Sequence, residues 1–92
     1  MISTYQKPLA EVDLVREQHV AFLAGLEERG LSVTAGRQDP PAGGIVLLDV
    51  DTEAEAQEVM SQDPYVVQGL ATYAATGWVI SRGELAGYQR RY

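Results

Sequence analysis

The amino-acid sequence predicts an α+β fold of the ferredoxin-like βαββαβ type. Such a fold is an antiparallel sheet with both helices on one face, here closed by a second copy into a dimeric α+β barrel. Three observations lead there. The hydrophobic period switches along the chain in the order strand, helix, strand, strand, helix, strand, which makes two split βαβ units. Crossovers in such a sheet are right-handed, so both helices fall on the same face. The strands expected at 45–50 and 72–81 are apolar on both sides, whereas a sheet wetted on one side alternates. The uncovered face is therefore expected to meet a partner subunit, the alternative being a monomer whose loops or tail fold across it.

Each element has a local signal. Residues 1–5 form a short, mixed first strand, broken by Lys7-Pro8. Val12, Val15, Phe22, Leu23 and Leu26 recur at helical spacing and predict one helix from Val12 to Arg29, with Asp13 as a cap and Gly30 as its stop. Leu31 to Arg37 alternates, with Leu31, Val33 and Ala35 on the buried side. The stretch from Gln38 to Gly44, rich in proline and glycine, turns the chain into the strand at 45–50 and so makes a long hairpin. Thr52 and Glu55 form a capping box opening a second helix, with Ala56, Val59 and Met60 inward. Asp63-Pro64 ends that helix, because proline disfavours helical dihedrals in the residue before it. A short further helical turn is expected within 64–70, and the last strand over 72–81.

Ninety-two residues suit one domain, placed at 1–82, followed by a short basic tail at 83–92 that carries Arg90 and Arg91. At 46% hydrophobic and 22% charged the composition is that of a globular chain rather than a disordered one. The absence of cysteine excludes disulfides, thiolate metal sites and a thiol nucleophile, and fits a reducing compartment. Residues Met1 to Tyr5 carry no charged leader or apolar signal segment, and no apolar run approaches the ~20 residues of a membrane span. A cytoplasmic location without membrane attachment is expected. The net charge of −6 repels phosphate backbones, so nucleic acid is not an expected partner.

His19, the sole histidine, falls on the apolar stripe of the first helix, one turn after Val15 and just before Phe22 and Leu23. Its side chain exchanges protons near neutrality, which suits it to acid–base chemistry; on such a stripe it also reads as a satisfied structural histidine. Asp63 stands at the end of the second helix, where a carboxylate opposes the helix dipole. It equally reads as the cap of the following turn, with Pro64 at the first helical position. The two roles are compatible, since a carboxylate has two oxygens. Because both helices share one sheet face, His19 and Asp63 are expected to meet in one pocket, with the aspartate orienting the imidazole. Tyr5, Tyr65, Tyr73 and Trp78 are candidates to line an apolar pocket with polar tips. No metal motif is present, the one weak option being His19 with Asp63 and water. Gly43-Gly44 precedes a strand rather than a helix, so no nucleotide cofactor is expected.

Together, Tyr5-x-Lys7-Pro8-Leu9, Arg16-x-x-His19-x-x-Phe22-Leu23, Gly36, Gly43-Gly44 and Asp63-Pro64-Tyr65 followed by Gly69-Leu70 resemble the YciI-like (YCII-related) family over about residues 5 to 80. The resemblance implies a dimeric α+β barrel and a pocket in which His19 and Asp63 act as an acid–base pair. Arg16, within the same motif, joins Tyr5, Tyr65 and Tyr73 as an expected substrate contact. Some relatives are linked to dehydrochlorination of hydroxylated aromatics, and similar barrels include lactone isomerases. The first strand departs from the family in being short and polar. The expectation is a homodimer with a small-molecule ligand and no cofactor. It would perform elimination, isomerisation or dehydration on a small cyclic or aromatic metabolite; the alternative is a non-catalytic binding or accessory protein.

Overall fold

A computed structural model of the chain describes residues 1–88. Its elements are β1 (Ile2–Tyr5), α1 (Leu9–Asp13), α2 (Arg16–Glu28), β2 (Ser32–Arg37), β3 (Gly44–Leu48), α3 (Glu53–Met60), α4 (Pro64–Val67) and β4 (Ala71–Ala74), then a 3₁₀ turn at Glu84–Gly87. The four strands form one sheet in the order β2-β3-β1-β4, antiparallel throughout. This is a small α+β fold compatible with the ferredoxin-like arrangement. No helix among the described residues is long and apolar enough to cross a membrane. Of the expected basic tail, Arg90 and Arg91 lie outside the described residues.

The helix expected from Val12 to Arg29 is two helices. Pro8 opens α1, its carbonyl accepting from the Glu11 and Val12 amides at 2.9 and 3.2 Å. The amides of Leu14 and Val15 then donate three residues back, to Glu11 and Val12, so the first helix tightens and ends. A new ladder starts where the His19 amide donates to the Val15 carbonyl at 3.1 Å. Asp13 therefore caps nothing; α2 begins at Val15 with no side-chain cap. Gly30 does stop α2, at φ +74°. The Thr52 hydroxyl accepts from the Glu55 amide at 3.1 Å and so caps α3 as expected.

The last strand is shorter than the apolar run at 72–81 suggests. β4 pairs only with β1, and the register runs from Tyr5↔Ala71 to Ile2↔Ala74. The next candidate partner, Met1, is already engaged with β3, exchanging hydrogen bonds with Val46. Residues 75–81 thus find no ladder and leave the sheet.

Facing residues in register share a sheet face. Ser3, Tyr73 and Val46 turn toward the helices, where Leu26 of α2 and Met60 of α3 bury completely against Val46. A second cluster joins Val12 of α1 to Tyr65 of α4, Leu70 and Ala71. The opposite face presents Ile2, 44% exposed, and Ile45, 52% exposed, opposite one another. A bulge interrupts β2 between Ser32 and Thr34. It moves the helix-facing set from Ser32, opposite Leu48, to Ala35 and Arg37, opposite Val46 and Gly44. Ser32 is accordingly buried, against the simple alternation read from the sequence.

Gly43 lies directly against the backbone of β1. A Cβ there would lie 1.8 Å from the Ser3 carbonyl oxygen, a backbone atom that cannot rotate away. At Gly36 a Cβ meets nothing within 4 Å. Gly43→Ala is therefore expected to lower stability by at least ~2 kcal/mol, and Gly36→Ala by less than ~0.5 kcal/mol. Denaturant midpoints of the two variants check this, and equal midpoints would contradict it.

Candidate active site

α2 carries Arg16 and His19 three residues apart, hence on one helical face. Asp63 belongs to neither neighbouring helix. α3 has ended at Met60, whose carbonyl accepts from the Asp63 amide at 3.1 Å. Asp63 then caps α4: its Oδ1 accepts from the Tyr65 amide at 2.9 Å, and Pro64 takes the first helical position.

The same carboxylate receives side chains from two further elements. His19 Nδ1 lies 2.9 Å from both Oδ1 and Oδ2, and the Tyr73 hydroxyl donates to Oδ2 at 2.7 Å. Asp63 has no solvent exposure, while the His19 side chain keeps 15% of its own. Since the carboxylate accepts from every neighbour, the imidazole proton on this side sits on Nδ1. The neutral ring then offers its lone pair at Nε2, for which no hydrogen-bond partner occurs among the described residues. The ring is held in a second direction by Tyr65, stacked on it at 4.0 Å between centroids and 8° between planes. Tyr5 in turn meets Tyr65 edge-on at 6.0 Å.

A second polar cluster stands beside the first. Arg37 Nε donates to the Tyr5 hydroxyl oxygen at 3.0 Å, and its terminal nitrogen pairs with Asp13. The Asp13 carboxylate is the largest cause holding the guanidinium proton even more firmly than usual, followed by opposing desolvation and then the Tyr5 contact. Sequence reasoning missed Arg37 and Asp13. Arg37 has the parity of Val33 and Ala35, a usable hint, but its helix-facing orientation depends on a bulge that no residue type announces.

A cavity of about 260 Å³ lies between α2 and the helix-facing side of the sheet. His19 lines it, as do Tyr5, Arg16, Tyr65 and Tyr73, all named from the sequence, and so does Arg37. Asp63 stands behind the histidine and does not line it. Trp78 does not join this group: it is 62% exposed and borders a different cavity, of about 530 Å³, with Val79 and Ile80. Among the described residues, no group of three or more His, Asp or Glu side chains is arranged to hold a metal ion.

Burial, then the hydrogen bond to Asp63, raises the Tyr73 phenol well above its ordinary value of 10.0. The folded chain keeps a proton that the unfolded chain releases above that value, so this group makes stability fall as pH rises past it. In a tyrosinate absorbance titration of the folded protein, Tyr73→Phe is expected to leave the amplitude near the ordinary tyrosine range unchanged. Loss of one tyrosine's share of that amplitude would contradict the assignment.

The YCII-related domain model matches residues 1–79, a span that holds every strand and helix from β1 to β4 and both His19 and Asp63. No curated protein and no solved structure matches the chain. With its match covering most of the sequence, the chain belongs to the YCII-related domain family.

Proposed function

We propose that the protein is a cofactor-free acid–base enzyme acting on a small cyclic or aromatic metabolite by elimination, isomerisation or dehydration. The observation that carries this reading is the contact between His19 Nδ1 and both oxygens of the fully buried Asp63, at the wall of a cavity. An imidazole so held has a fixed tautomer and presents Nε2 as a base, and the aspartate stabilises the imidazolium once the proton arrives. A cavity of about 260 Å³ suits a metabolite rather than a polymer. Tyr5, Arg16, Tyr65 and Tyr73 would contact the ligand.

A non-catalytic ligand-binding role is the second reading. It is favoured by the capping of α4, which by itself accounts for Asp63. Two variants separate the readings. Asparagine caps nearly as well as aspartate but carries no charge. Under the enzymatic reading, His19→Ala and Asp63→Asn leave a folded protein and lower turnover roughly 10²–10⁴-fold. Saturable ligand binding without product, or turnover unchanged in both variants with stability lost mainly where the cap is lost, as in Asp63→Ala, would favour the second reading.

We also propose that the open sheet face forms a homodimer interface, as in a dimeric α+β barrel. Ile2 and Ile45 meet there with about half their surface exposed, and Leu47 shares the same face. Sedimentation is expected at twice the chain mass of 10.0 kDa, and Ile45→Asp is expected to give a folded monomer. A wild-type protein that sediments as a monomer at micromolar concentration would contradict the proposal.

A further inference from the structure

Tyr5 is placed to do more than line the cavity. Its oxygen accepts from Arg37 Nε at 3.0 Å, and the guanidinium carbon lies 5.7 Å from the ring centroid. A phenol oxygen used in this way still has its own O–H to donate. No acceptor for that O–H occurs among the described residues, and Tyr5 lines the same cavity as His19. The two rings flank Tyr65, one stacked on its face and the other meeting it edge-on. A proton acceptor and a hydrogen-bond donor, both packed on Tyr65, therefore line one small cavity.

We infer that Tyr5 acts as the hydrogen-bond donor of this site, its hydroxyl held by Arg37 to receive the oxygen on which negative charge develops while His19 moves a proton. The substrate class follows: a neutral carbonyl compound with an acidic hydrogen on the adjacent carbon, such as a small lactone, ketone or ester. This rests on the acid–base reading of His19. The charges at the wall offset one another, Arg37 being paired with Asp13 and Arg16 sharing the lining with Glu27, so no net positive charge is in place to favour a substrate that arrives as a strong anion. A preorganised donor is worth most for charge that appears only during the reaction.

The step balances without an external oxidant or reductant. His19 Nε2 takes the proton from the carbon next to the carbonyl. The C–H electron pair becomes a carbon–carbon double bond, and the carbonyl π pair moves onto oxygen, giving an enolate held by the Tyr5 O–H. The carbonyl then re-forms. In isomerisation the substrate also carries a double bond between the next two carbons, so the enolate is a dienolate: as the carbonyl re-forms, the enolate pair becomes a double bond to the nearer of these carbons and their π pair takes the proton from the imidazolium at the farther one. In elimination the pair expels a leaving group, which takes the proton instead.

Two probes test this: 4-nitrophenolate, which resembles a ring enolate in size and charge, and nitrobenzene, its neutral counterpart. Binding of each is measured by spectroscopic titration at a pH where the free phenol is ionised. The wild type is expected to prefer nitrophenolate. Tyr5→Phe keeps the ring but loses the donor, and is expected to lower that preference at least about tenfold. Arg37→Gln, which removes the charge behind Tyr5, is expected to lower it in the same direction. A merely structural loss would weaken both probes alike and leave the ratio unchanged. His19→Ala is expected to keep the preference, so turnover that survives His19→Ala would fail the acid–base reading and spare the role of Tyr5. A wild type without the preference, or a preference unchanged in Tyr5→Phe, would overturn the inference.

Discussion

Asp63 has no exposure to water, and a carboxylate removed from water costs several kcal/mol unless hydrogen bonds replace its hydration. Three donors do so here: the Tyr65 amide, His19 Nδ1–H and the Tyr73 hydroxyl. They come from α4, α2 and β4, so a single buried charge ties together two helices and an edge strand. Each donor has a local reason for its place. The amide is free because it opens a helix, the histidine lies on the helical face turned to the sheet, and the tyrosine sits on the inward side of β4.

This arrangement makes one carboxylate serve folding and site geometry together. Removing any one donor leaves a buried acceptor short of a partner, which is typically more costly than the net worth of the bond itself. It also means that loss of stability alone says little about chemistry at this position. The informative changes keep the shape and capping ability of Asp63 while removing its charge. The imidazole is fixed twice over, by the carboxylate and by the face of Tyr65, so Nε2 is held in one direction without a loop or lid. Next to Tyr65, Arg37 holds the Tyr5 hydroxyl in a similar way. Its helix-facing position derives from the bulge in β2, which reverses the inside–outside pattern between Ser32 and Ala35.

Much of the histidine–aspartate arrangement was legible in the sequence, because each part obeys a strong local rule. Helical spacing assigned His19 to an inward face, and the Asp-Pro pair announced a cap. Topology then put both on one side of the sheet. The misses share a different cause. The break at Leu14 and Val15 comes from hydrogen bonds tightening to three residues, with no proline or glycine to mark it. β4 stops at Ala74 because its four-residue partner β1 runs out, a pairing limit invisible in an apolar run such as 75–81. Arg37 shares the parity of Ala35, but that this parity faces the helices while Ser32 is also inward depends on a register shift relative to β3 that no residue type marks.

Asp63, accepting from His19 Nδ1–H, is expected to fix the proton on that nitrogen and leave Nε2 without a partner among the described residues. The ¹⁵N chemical shifts of the single histidine ring, followed by NMR through its titration, report this directly. The neutral ring is expected to hold its proton on Nδ1, and Asp63→Asn is expected to weaken or abolish that preference. A wild-type ring that carries its proton on Nε2, or a mixture of tautomers unaffected by Asp63→Asn, would contradict it.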